Sequence, residues 1–437
     1  MASTSLSRTM GTSTSELKHT CSMWLKRSGL GTEQFVWMNR EDGSNRTYFR
    51  FNSTDTIAFK NEGGSSVDLQ TTQKFRDVGA WYNIVIAIDT TQATSSNRVK
   101  IYINGVQITS FSDEVYPSQN AVFSFNNVCS IGSNGDSSLY FDGFISYVSV
   151  VDGTQELPTA FGSVDSASGI WKVNTSPSVT YGTNGFFLKM DTSSPGSDTS
   201  GNNNTFTASG TPTLAEDNCS NNLVTMNPLD NYRAASTFSN GNNTIVSNGS
   251  NNTYNTSTIG IASGKFYSEV KVNTNNDNVV GIAGQFSGSS TAKLEDGANN
   301  YGYVGYDGTV MNNGSTLATY GTYTTGDIIG IAVDCTNNKF YVSKNGVFQG
   351  SADPSNNTGG LSITAAASVV NNVYMFAGGE NSGARTVTHN WNFGNGFFGV
   401  TAVASSNADA AGHGLFEYAV PTGFYTLNTK NLNTYGG

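Results

Sequence analysis

Apolar and polar residues alternate in short runs along most of this chain, and a helical period is hardly seen anywhere. The runs are about five to eight residues long and are separated by Gly, Asn, Asp and Ser; two examples are QFVWMN (34–39) and YFRFN (48–52). Alternation of this kind between turn residues predicts half-buried antiparallel strands. We therefore expect an all-β fold built from two antiparallel β-sandwich domains of the jelly-roll type.

One strand–turn–strand pattern occurs twice, about 240 residues apart. Each copy is an apolar run that ends in Asp, a polar loop, and an alternating strand that closes on Asn-Gly-Val; the copies occupy 84–110 and 328–351. Asn104-Gly105 and Asn345-Gly346 fit the two central positions of a type I′ hairpin, because both positions need a positive φ. The repeat predicts one sandwich in each half of the chain.

Changes in composition divide the chain into four segments. They are a first sandwich at 1–165, a connector at 166–230, a second sandwich at 231–400, and a tail at 401–437. The connector is expected because prolines interrupt it, and a proline cannot donate to a sheet ladder. The tail carries enough aromatic residues to pack back onto a domain.

Composition restricts the class of protein. Of the 437 residues only 12% are charged, whereas 11% are aromatic, and the net charge is −10 with a pI near 4.8. The aromatic and β-branched content argues against disorder. The absence of a Lys/Arg cluster predicts no nucleic-acid partner. The N-terminus lacks an apolar signal region and the apolar runs are strand-sized, so we expect a soluble protein without membrane insertion.

No residue pattern predicts catalysis or an organic cofactor. The chain lacks the alternating carboxylates of sandwich glycosidases and the GxSxG elbow. The GxGxxG that begins at Gly394 carries two phenylalanines and no following helix, which favours a glycine-rich strand end over a dinucleotide site. We expect no catalytic residues and no cofactor other than calcium, which is considered below.

Isolated histidines, cysteines and aromatics have structural interpretations. His19 and His389 lie beside alternating strands, where hydrogen-bonded structural histidines are common. The cysteines lack metal-site spacing, so four buried thiols inside strands are expected at Cys21, Cys129, Cys219 and Cys335. Aromatics at two-residue spacing could stack on sugars, but a buried sheet face produces the same pattern and is the favoured interpretation; these are Tyr301, Tyr303, Trp391 and Phe393.

Two long stretches resemble known β-sandwich families. AWYNIVIAIDTTQ…NRVKIYINGVQITSF resembles laminin-G/concanavalin-like domains, and SGKFYSEVKVN…YGYVGYDGTVMNNG…GDIIGIAVD…FYVSKNGVFQG resembles SPRY domains. The order of the two, followed by GLFEYAVPTGFYTLNTKNL, resembles structural proteins of tailed bacteriophages, marine ones especially.

The resemblance implies a virion protein displayed on the particle surface and assembled in the host cytoplasm. It would be a tail fibre or adhesin, or a head fibre or decoration, with no enzymatic activity. The implied partners are other virion proteins, host-surface polysaccharide, and copies of the same chain, as trimers in a fibre. A purely structural subunit that binds other virion proteins and no host ligand is the alternative.

Calcium is the one metal that the sequence suggests. Asp191, Asp198 and Asn202 offer hard oxygen ligands within one turn-rich segment, as calcium prefers. The segment also resembles the opening loop of some laminin-G-like domains, although Thr199 and Asn203 depart from that pattern. The alternative is a solvated loop in which the same side chains cap their own backbone as Asx-turns.

Overall fold

The chain folds into two compact units with an all-β architecture, as predicted. The computed structural model describes residues 3–63, 66–123, 125–191, 193–230, 234–249, 252–274, 277–285, 293–382 and 385–436. Unit 1 comprises Met1–Leu214 and Asn218–Ser220, and unit 2 comprises Ala215–Asp217 and Asn221–Gly437. Among these described residues no helix has the length and apolar character that crossing a membrane requires.

Unit 1 contains sixteen described strands. They are β1 (Ser5–Thr9), β2 (Lys18–Arg27), β3 (Gln34–Arg40), β4 (Arg46–Phe51), β5 (Thr56–Glu62), β6 (Val67–Lys74), β7 (Tyr82–Asp89), β8 (Val99–Ile103), β9 (Val106–Gln107), β10 (Phe111–Val115), β11 (Val128–Ile131), β12 (Gly143–Asp152), β13 (Gly162–Val164), β14 (Trp171–Val173), β15 (Phe186–Leu188) and β16 (Thr207–Ser209).

Two antiparallel sheets form the sandwich of unit 1. One has the order β10-β6-β5-β4-β3-β11-β1-β16 and the other the order β15-β12-β2-β7-β8-β9. Trp37, Phe49 and Phe59 face each other on neighbouring strands of the first sheet and are buried in the core. Burial of each such side chain contributes on the order of 2–3 kcal/mol relative to exposure.

Residues 166–214, which the sequence analysis assigned to a connector, lie inside unit 1. In this segment β15 pairs with β12, and β16 pairs with β1 at the edge of the large sheet. Phe186, Leu188 and Phe206 belong to the buried core. The segment is structured because strands of three residues are held by partners far away in sequence.

Unit 2 contains seventeen described strands and the α-helix α1 (Thr429–Tyr435). The strands are β17 (Thr237–Ser239), β18 (Thr244–Val246), β19 (Thr253–Thr256), β20 (Lys265–Thr274), β21 (Asn278–Ala283), β22 (Asn300–Val304), β23 (Thr309–Asn312), β24 (Ser315–Thr319), β25 (Ile328–Asp334), β26 (Lys339–Lys344), β27 (Val347–Phe348), β28 (Leu361–Ser362), β29 (Met375–Glu380), β30 (Thr388–Asn392), β31 (Phe397–Phe398), β32 (Thr401–Ala402) and β33 (Tyr425–Thr426).

Two sheets again form the sandwich of unit 2. One has the order β17-β18-β30-β20-β25-β26-β27, with β28 beside β26 and β33 beside β20, and the other the order β19-β29-β21-β22-β23-β24. The tail supplies β33, and its Phe416 and Phe424 are buried against Tyr267 and Tyr341 of the first sheet. The tail thus covers the outer face of that sheet.

The repeated hairpins have the predicted geometry. Asn104 and Gly105 have φ of 48° and 81°, and Asn345 and Gly346 have φ of 49° and 81°. In each hairpin the asparagine Oδ1 accepts from the first strand of the pattern, from the Asn83 N–H in unit 1 and the Ile328 N–H in unit 2. The type I′ prediction is therefore confirmed at both places.

Equivalent contacts surround the hairpin within each unit. Lys18 pairs with Asp89 in unit 1, and Lys265 pairs with Asp334 in unit 2, each across the same strand pair. An aromatic ring from a later segment lies on each turn glycine, so that a Cβ on Gly105 or Gly346 would lie 2.5 Å from a ring of Trp171 or Tyr418. The sequence repeat thus corresponds to a structural repeat.

The cysteine prediction is correct for two residues and wrong for two. Cys21 and Cys129 are buried within β2 and β11, whereas Cys219 and Cys335 are half-buried and lie in turns. Cys335 directly follows the Asp that ends β25, where the chain leaves the sheet. Cys21, Cys129 and Cys335 are free thiols.

Candidate functional site

A polar groove opens beside the core of unit 1. Its volume is about 390 Å³, within the range of small-molecule sites. Strands β3, β4 and β5 form one side, and residues 118, 120–122 and 127 form the other. The lining is rich in amides and is made of Asn39, Glu41, Asn45, Arg46, Thr47, Asn61, Glu62, Gly63, Ser118, Asn120, Ala121, Val122 and Asn127.

A row of three buried polar side chains forms the sheet side of the groove. Asn39, Thr47 and Asn61 are opposite one another on β3, β4 and β5. Each lies two residues from a core aromatic on its own strand, so it points to the same inner face of the sheet. The Thr47 hydroxyl donates to Asn61 Oδ1 at 2.6 Å. The inner face therefore changes from aromatic to polar at this end.

Asn39 has an unmet hydrogen-bonding group. The residue is 2% exposed, and its Oδ1 is buried without a hydrogen-bond partner. Asn39 lines both the groove and a small cavity of about 10 Å³ beneath it. A buried amide oxygen without a donor costs on the order of 1–3 kcal/mol.

Glu62 ends β5 at the edge of the groove, and its side chain lies on the face of the sheet opposite to that of Asn61. Its two carboxylate oxygens accept from Tyr48 Oη at 2.7 Å and from Arg46 Nε at 2.6 Å. Burial disfavours the charged carboxylate, but these two donors outweigh burial and hold the pKa of Glu62 below its usual value. Glu62 is therefore an ionised, positioned group rather than a proton donor.

The opposite wall is held by contacts within unit 1. Phe123 and Phe125 are buried, and they lie against Phe59 and Trp37 at ring-centroid distances of 6.4 and 5.4 Å. The Phe123 N–H donates to the Glu16 carbonyl, and the Asn120 N–H donates to the Thr90 carbonyl. These anchors give the groove a preformed shape, which reduces the entropy lost on binding.

His19 lies beneath the groove, in the lining of the small cavity. Its ring stacks on Phe125 with centroids 3.6 Å apart, and its Nδ1 is 3.7 Å from Asp152 Oδ1. Burial lowers the pKa of His19 to about 3 despite the attraction of Asp152, and burial lowers that of His389 to about 4. Both histidines are buried, and neither ring nitrogen of His19 has a hydrogen-bond partner, contrary to the expectation of a hydrogen-bonded structural histidine.

The three calcium candidates lie in one loop of unit 1. Asp198 accepts from the N–H groups of Phe187, Ser200 and Asn204 and from the Ser200 hydroxyl, at 2.7–2.9 Å. Asn202 Nδ2 donates to backbone carbonyls, and Asp191 is exposed. These bonds are those of a self-capping Asx-turn loop, and calcium remains a prediction at this loop. No group of three or more His, Cys, Asp or Glu suited to a metal occurs among the described residues.

The other predicted candidates have structural positions. The aromatics at two-residue spacing are buried in the core of unit 2, which confirms the core interpretation; they are Tyr301, Tyr303, Trp391 and Phe393. The GxGxxG segment follows β30 and contains β31, with Gly394, Gly396 and Gly399 at positive φ. It is a glycine-rich strand end, as predicted.

Sequence reasoning missed the groove. A signal was present, because Asn39, Thr47 and Asn61 occupy the core-facing phase of their strands, where apolar residues are expected. Which strands are neighbours, however, does not follow from the phase of each strand.

Part of unit 1 matches a known family of proteins. Residues 3–156 match the family model described as the concanavalin A-like lectin/glucanases superfamily. A search of curated protein sequences finds no match.

Solved structures that are similar to this chain include a SPRY domain, a pentraxin and a domain of an arabinanase. The SPRY domain of human HERC1 is 16% identical and covers 38% of this chain and 96% of its own, with a TM-score of 0.31. The SAP-like pentraxin of Limulus polyphemus is 16% identical, with 35% and 71% coverage and a TM-score of 0.27. Domain 4 of the extracellular arabinanase AbnA from Geobacillus stearothermophilus, solved with arabinotriose, is 20% identical, with 32% and 64% coverage and a TM-score of 0.25. These similarities concern the fold alone.

Proposed function

We propose that this chain is a surface protein of a tailed-bacteriophage particle that attaches to host-surface glycans through the groove of unit 1. The observation that carries the glycan-binding part is Asn39, a buried amide oxygen without a donor, within a preformed and amide-rich groove. The match of residues 3–156 to a superfamily named for lectins and glucanases supports it. The order of the two sandwiches and the tail sequence support the virion part.

The chemistry of the groove suits sugars. A sugar presents many hydroxyl groups, each of which donates and accepts, and asparagine amides and threonine hydroxyls do the same. A few well-placed polar groups on a preformed surface fix the orientation of a small ligand. Single sites of this kind bind weakly, and oligomerisation on a particle would multiply them by avidity.

Binding without hydrolysis fits the state of Glu62, a carboxylate at the edge of the groove. Glycosidases need a carboxylic acid with a raised pKa that protonates the leaving group. The pKa of Glu62 is instead lowered by its hydrogen bonds to Tyr48 and Arg46. We therefore propose a binding protein rather than an enzyme.

Two experiments test this proposal. Antibodies against the purified chain should label the surface of particles of a phage that encodes it, by immunogold electron microscopy. The purified full chain, fluorescently labelled, should bind host cells saturably, and free polysaccharide extracted from those cells should compete. Labelled particles without cell binding would indicate a structural subunit that contacts only virion proteins. Unlabelled particles would refute the virion assignment.

A further inference from the structure

We infer that Asn313, at the tip of the hairpin between β23 and β24, is a site of spontaneous deamidation, which converts it to aspartate and isoaspartate. The inference is independent of the proposed function, because it concerns a chemical modification of the chain in unit 2. It follows from a comparison of three hairpins that share an Asn-Gly turn and differ in what holds the asparagine side chain.

The hairpin between β23 and β24 has the same turn as the two repeated hairpins. Asn313 and Gly314 have φ of 51° and 67° and stand between the paired residues Asn312 and Ser315. They thus occupy the central positions of a two-residue type I′ turn, as Asn-Gly does at 104–105 and 345–346. The reacting pair of residues is therefore the same in all three hairpins.

Deamidation at Asn-Gly requires that the asparagine side chain can reach the next backbone nitrogen. The glycine nitrogen attacks the asparagine Cγ and forms a bond to it, the bond from Cγ to Nδ2 breaks, and the glycine N–H proton leaves with the side-chain nitrogen as ammonia. Water then opens the cyclic imide at either carbonyl, which gives aspartate or isoaspartate. A glycine has no Cβ to obstruct the attack. Only water is consumed, so the modification accumulates as the protein ages.

The asparagines of the repeated hairpins are held away from this reaction. Asn104 Oδ1 accepts from the Asn83 N–H at 2.8 Å. Asn345 Oδ1 accepts from the Ile328 N–H at 2.9 Å, and its Nδ2 donates to Asp327 Oδ1 at 2.8 Å. An aromatic ring also covers the glycine of each of these turns. Before either asparagine can react, its side chain must leave the neighbouring strand.

The Asn313 side chain has no such restraint. Asn313 is exposed, and no residue in the described part of the chain forms a hydrogen bond with its side-chain amide. A Cβ added to Gly314 would have nothing within 4 Å, so the turn is open to solvent. β24 lies at the edge of its sheet, and most of its residues are exposed. Exposed elements with few buried contacts are those that open locally most often.

One backbone contact opposes the reaction at this turn. The Gly314 N–H donates to the Glu295 carbonyl at 3.1 Å, and this bond must open before the Gly314 nitrogen can attack. Opening it costs one hydrogen bond at an exposed edge. Asn345, by contrast, must give up two side-chain hydrogen bonds in a turn that lies under a ring. The barrier is therefore lowest at Asn313.

The test follows deamidation in the folded protein. The purified full chain is incubated in mildly alkaline buffer made with heavy-oxygen water and is then digested in ordinary water. Each conversion during the incubation incorporates a heavy oxygen, so mass spectrometry of the fragments separates it from conversion during digestion. Electron-transfer fragmentation distinguishes isoaspartate from aspartate. We expect Asn313 to convert about tenfold or more faster than Asn104 and Asn345.

Two controls separate the effect of the structure from that of the sequence. In urea, where the chain is unfolded, all three asparagines still precede a glycine, and we expect them to convert at about equal rates. Gly314→Ala adds a Cβ beside the attacking nitrogen, and it should slow the conversion of Asn313 without changing that of Asn104 or Asn345. Circular dichroism checks the folding of this variant, and the urea control does not depend on it.

Three outcomes would overturn the inference. The first is conversion of Asn104 or Asn345 as fast as that of Asn313 in the folded chain, or a difference that persists in urea. The second is an Asn313 that converts in urea but not in the folded chain, because the hydrogen bond to Glu295 would then keep the turn closed. The third is unchanged conversion in Gly314→Ala, which would show direct hydrolysis of the side chain instead of attack by the glycine nitrogen.

Discussion

Asn39 in unit 1 and Glu269 in unit 2 are both buried polar side chains on sheets of similar architecture, yet their surroundings are opposite. Glu269 accepts from the N–H groups of Glu417 and Tyr418 and from the Tyr267 hydroxyl, at 2.9–3.1 Å. Asn39 Oδ1 is buried and accepts no hydrogen bond, and Asn39 lines the groove. A satisfied buried group stabilises a fold, and an unsatisfied one at a groove is available to a ligand.

The comparison extends to the strands around Glu269. The Lys18–Asp89 and Lys265–Asp334 pairs place β2 and β20 in the same register against their neighbours, so Ser22 of unit 1 is equivalent to Glu269. Ser22 accepts from Asn83 Nδ2, and Asn83 Oδ1 accepts from the Trp171 indole. In both units a polar side chain thus holds the segment whose aromatic residue covers the hairpin glycine.

The largest expected effect is loss of the Glu269 anchor. Glu269→Ala leaves two tail N–H groups and the Tyr267 hydroxyl without their acceptor, and we expect a loss of about 3–5 kcal/mol in the free energy of unfolding. Ser22→Ala at the equivalent position removes one neutral hydrogen bond and should cost about 1 kcal/mol. Urea unfolding measures both. Equal losses would show that the two anchors do not differ as described.

The pH dependence of the free energy of unfolding should differ between the two units. The pKa of His19 is about 3 in the folded chain, so on acidification this histidine is protonated in the unfolded chain before it is protonated in the folded one. Lowering the pH from about 7 to about 5 should therefore reduce the free energy of unfolding of unit 1 by about 2 kcal/mol. In unit 2, burial raises the pKa of Glu269 and of Glu295 to about 7, so the folded state takes up their protons and gains stability over the same range. His389, with its pKa lowered to about 4, opposes this gain only in part.

Pulse proteolysis in urea, with the fragments identified by mass spectrometry, shows which unit unfolds first at each pH. We expect unit 1 to lose resistance relative to unit 2 at about pH 5, and His19→Gln to reduce that loss. A relative loss by unit 2 on acidification would contradict the assigned pKa directions.

The hairpin glycines should respond alike in the two units. Gly105→Ala and Gly346→Ala each place a Cβ at a φ of 81° and 2.5 Å from an aromatic ring, so each should cost about 1–2 kcal/mol plus displacement of the ring. Gly31→Ala is the control, because its φ is 72° and nothing lies within 4 Å of the added Cβ. Thermal unfolding measures the loss of stability in each variant, and the loss in a hairpin variant minus the loss in Gly31→Ala is the contribution of the ring. Equal losses in the hairpin variants and in Gly31→Ala would show that the rings contribute nothing.

The smallest expected effect is that of chelation. The Asp198 carboxylate already accepts four hydrogen bonds, three from its own loop and one from Phe187 of β15, so EDTA should shift the Tm by less than about 1 °C. A rise in Tm with added calcium that is absent in Asp198→Asn would instead establish the predicted calcium site.

Local patterns were predictable from the sequence, and long-range pairing was not. The Asn104-Gly105 and Asn345-Gly346 turns follow from backbone sterics within two residues, and the structure has them as predicted. The strand at Phe186–Leu188 is only three residues long and exists because β12 pairs with it. From the sequence, the prolines and polar residues around this strand indicated a connector instead.

The groove illustrates the same limit for the candidate site. Asn39, Thr47 and Asn61 each break the apolar phase of their own strand, a signal that the sequence contains. Their alignment into one row requires the register of three strands, and their depth requires the wall at 118–127. Neither property is local.

The central claim, that unit 1 binds sugar in this groove, is tested most directly by hydrogen–deuterium exchange of the full chain with and without saturating host-cell polysaccharide. We predict slower amide exchange confined to residues 37–47, 59–63 and 118–127, and no such change in Asn39→Leu. Protection in unit 2, protection only at the 191–202 loop, or binding without protection in the groove would contradict the claim.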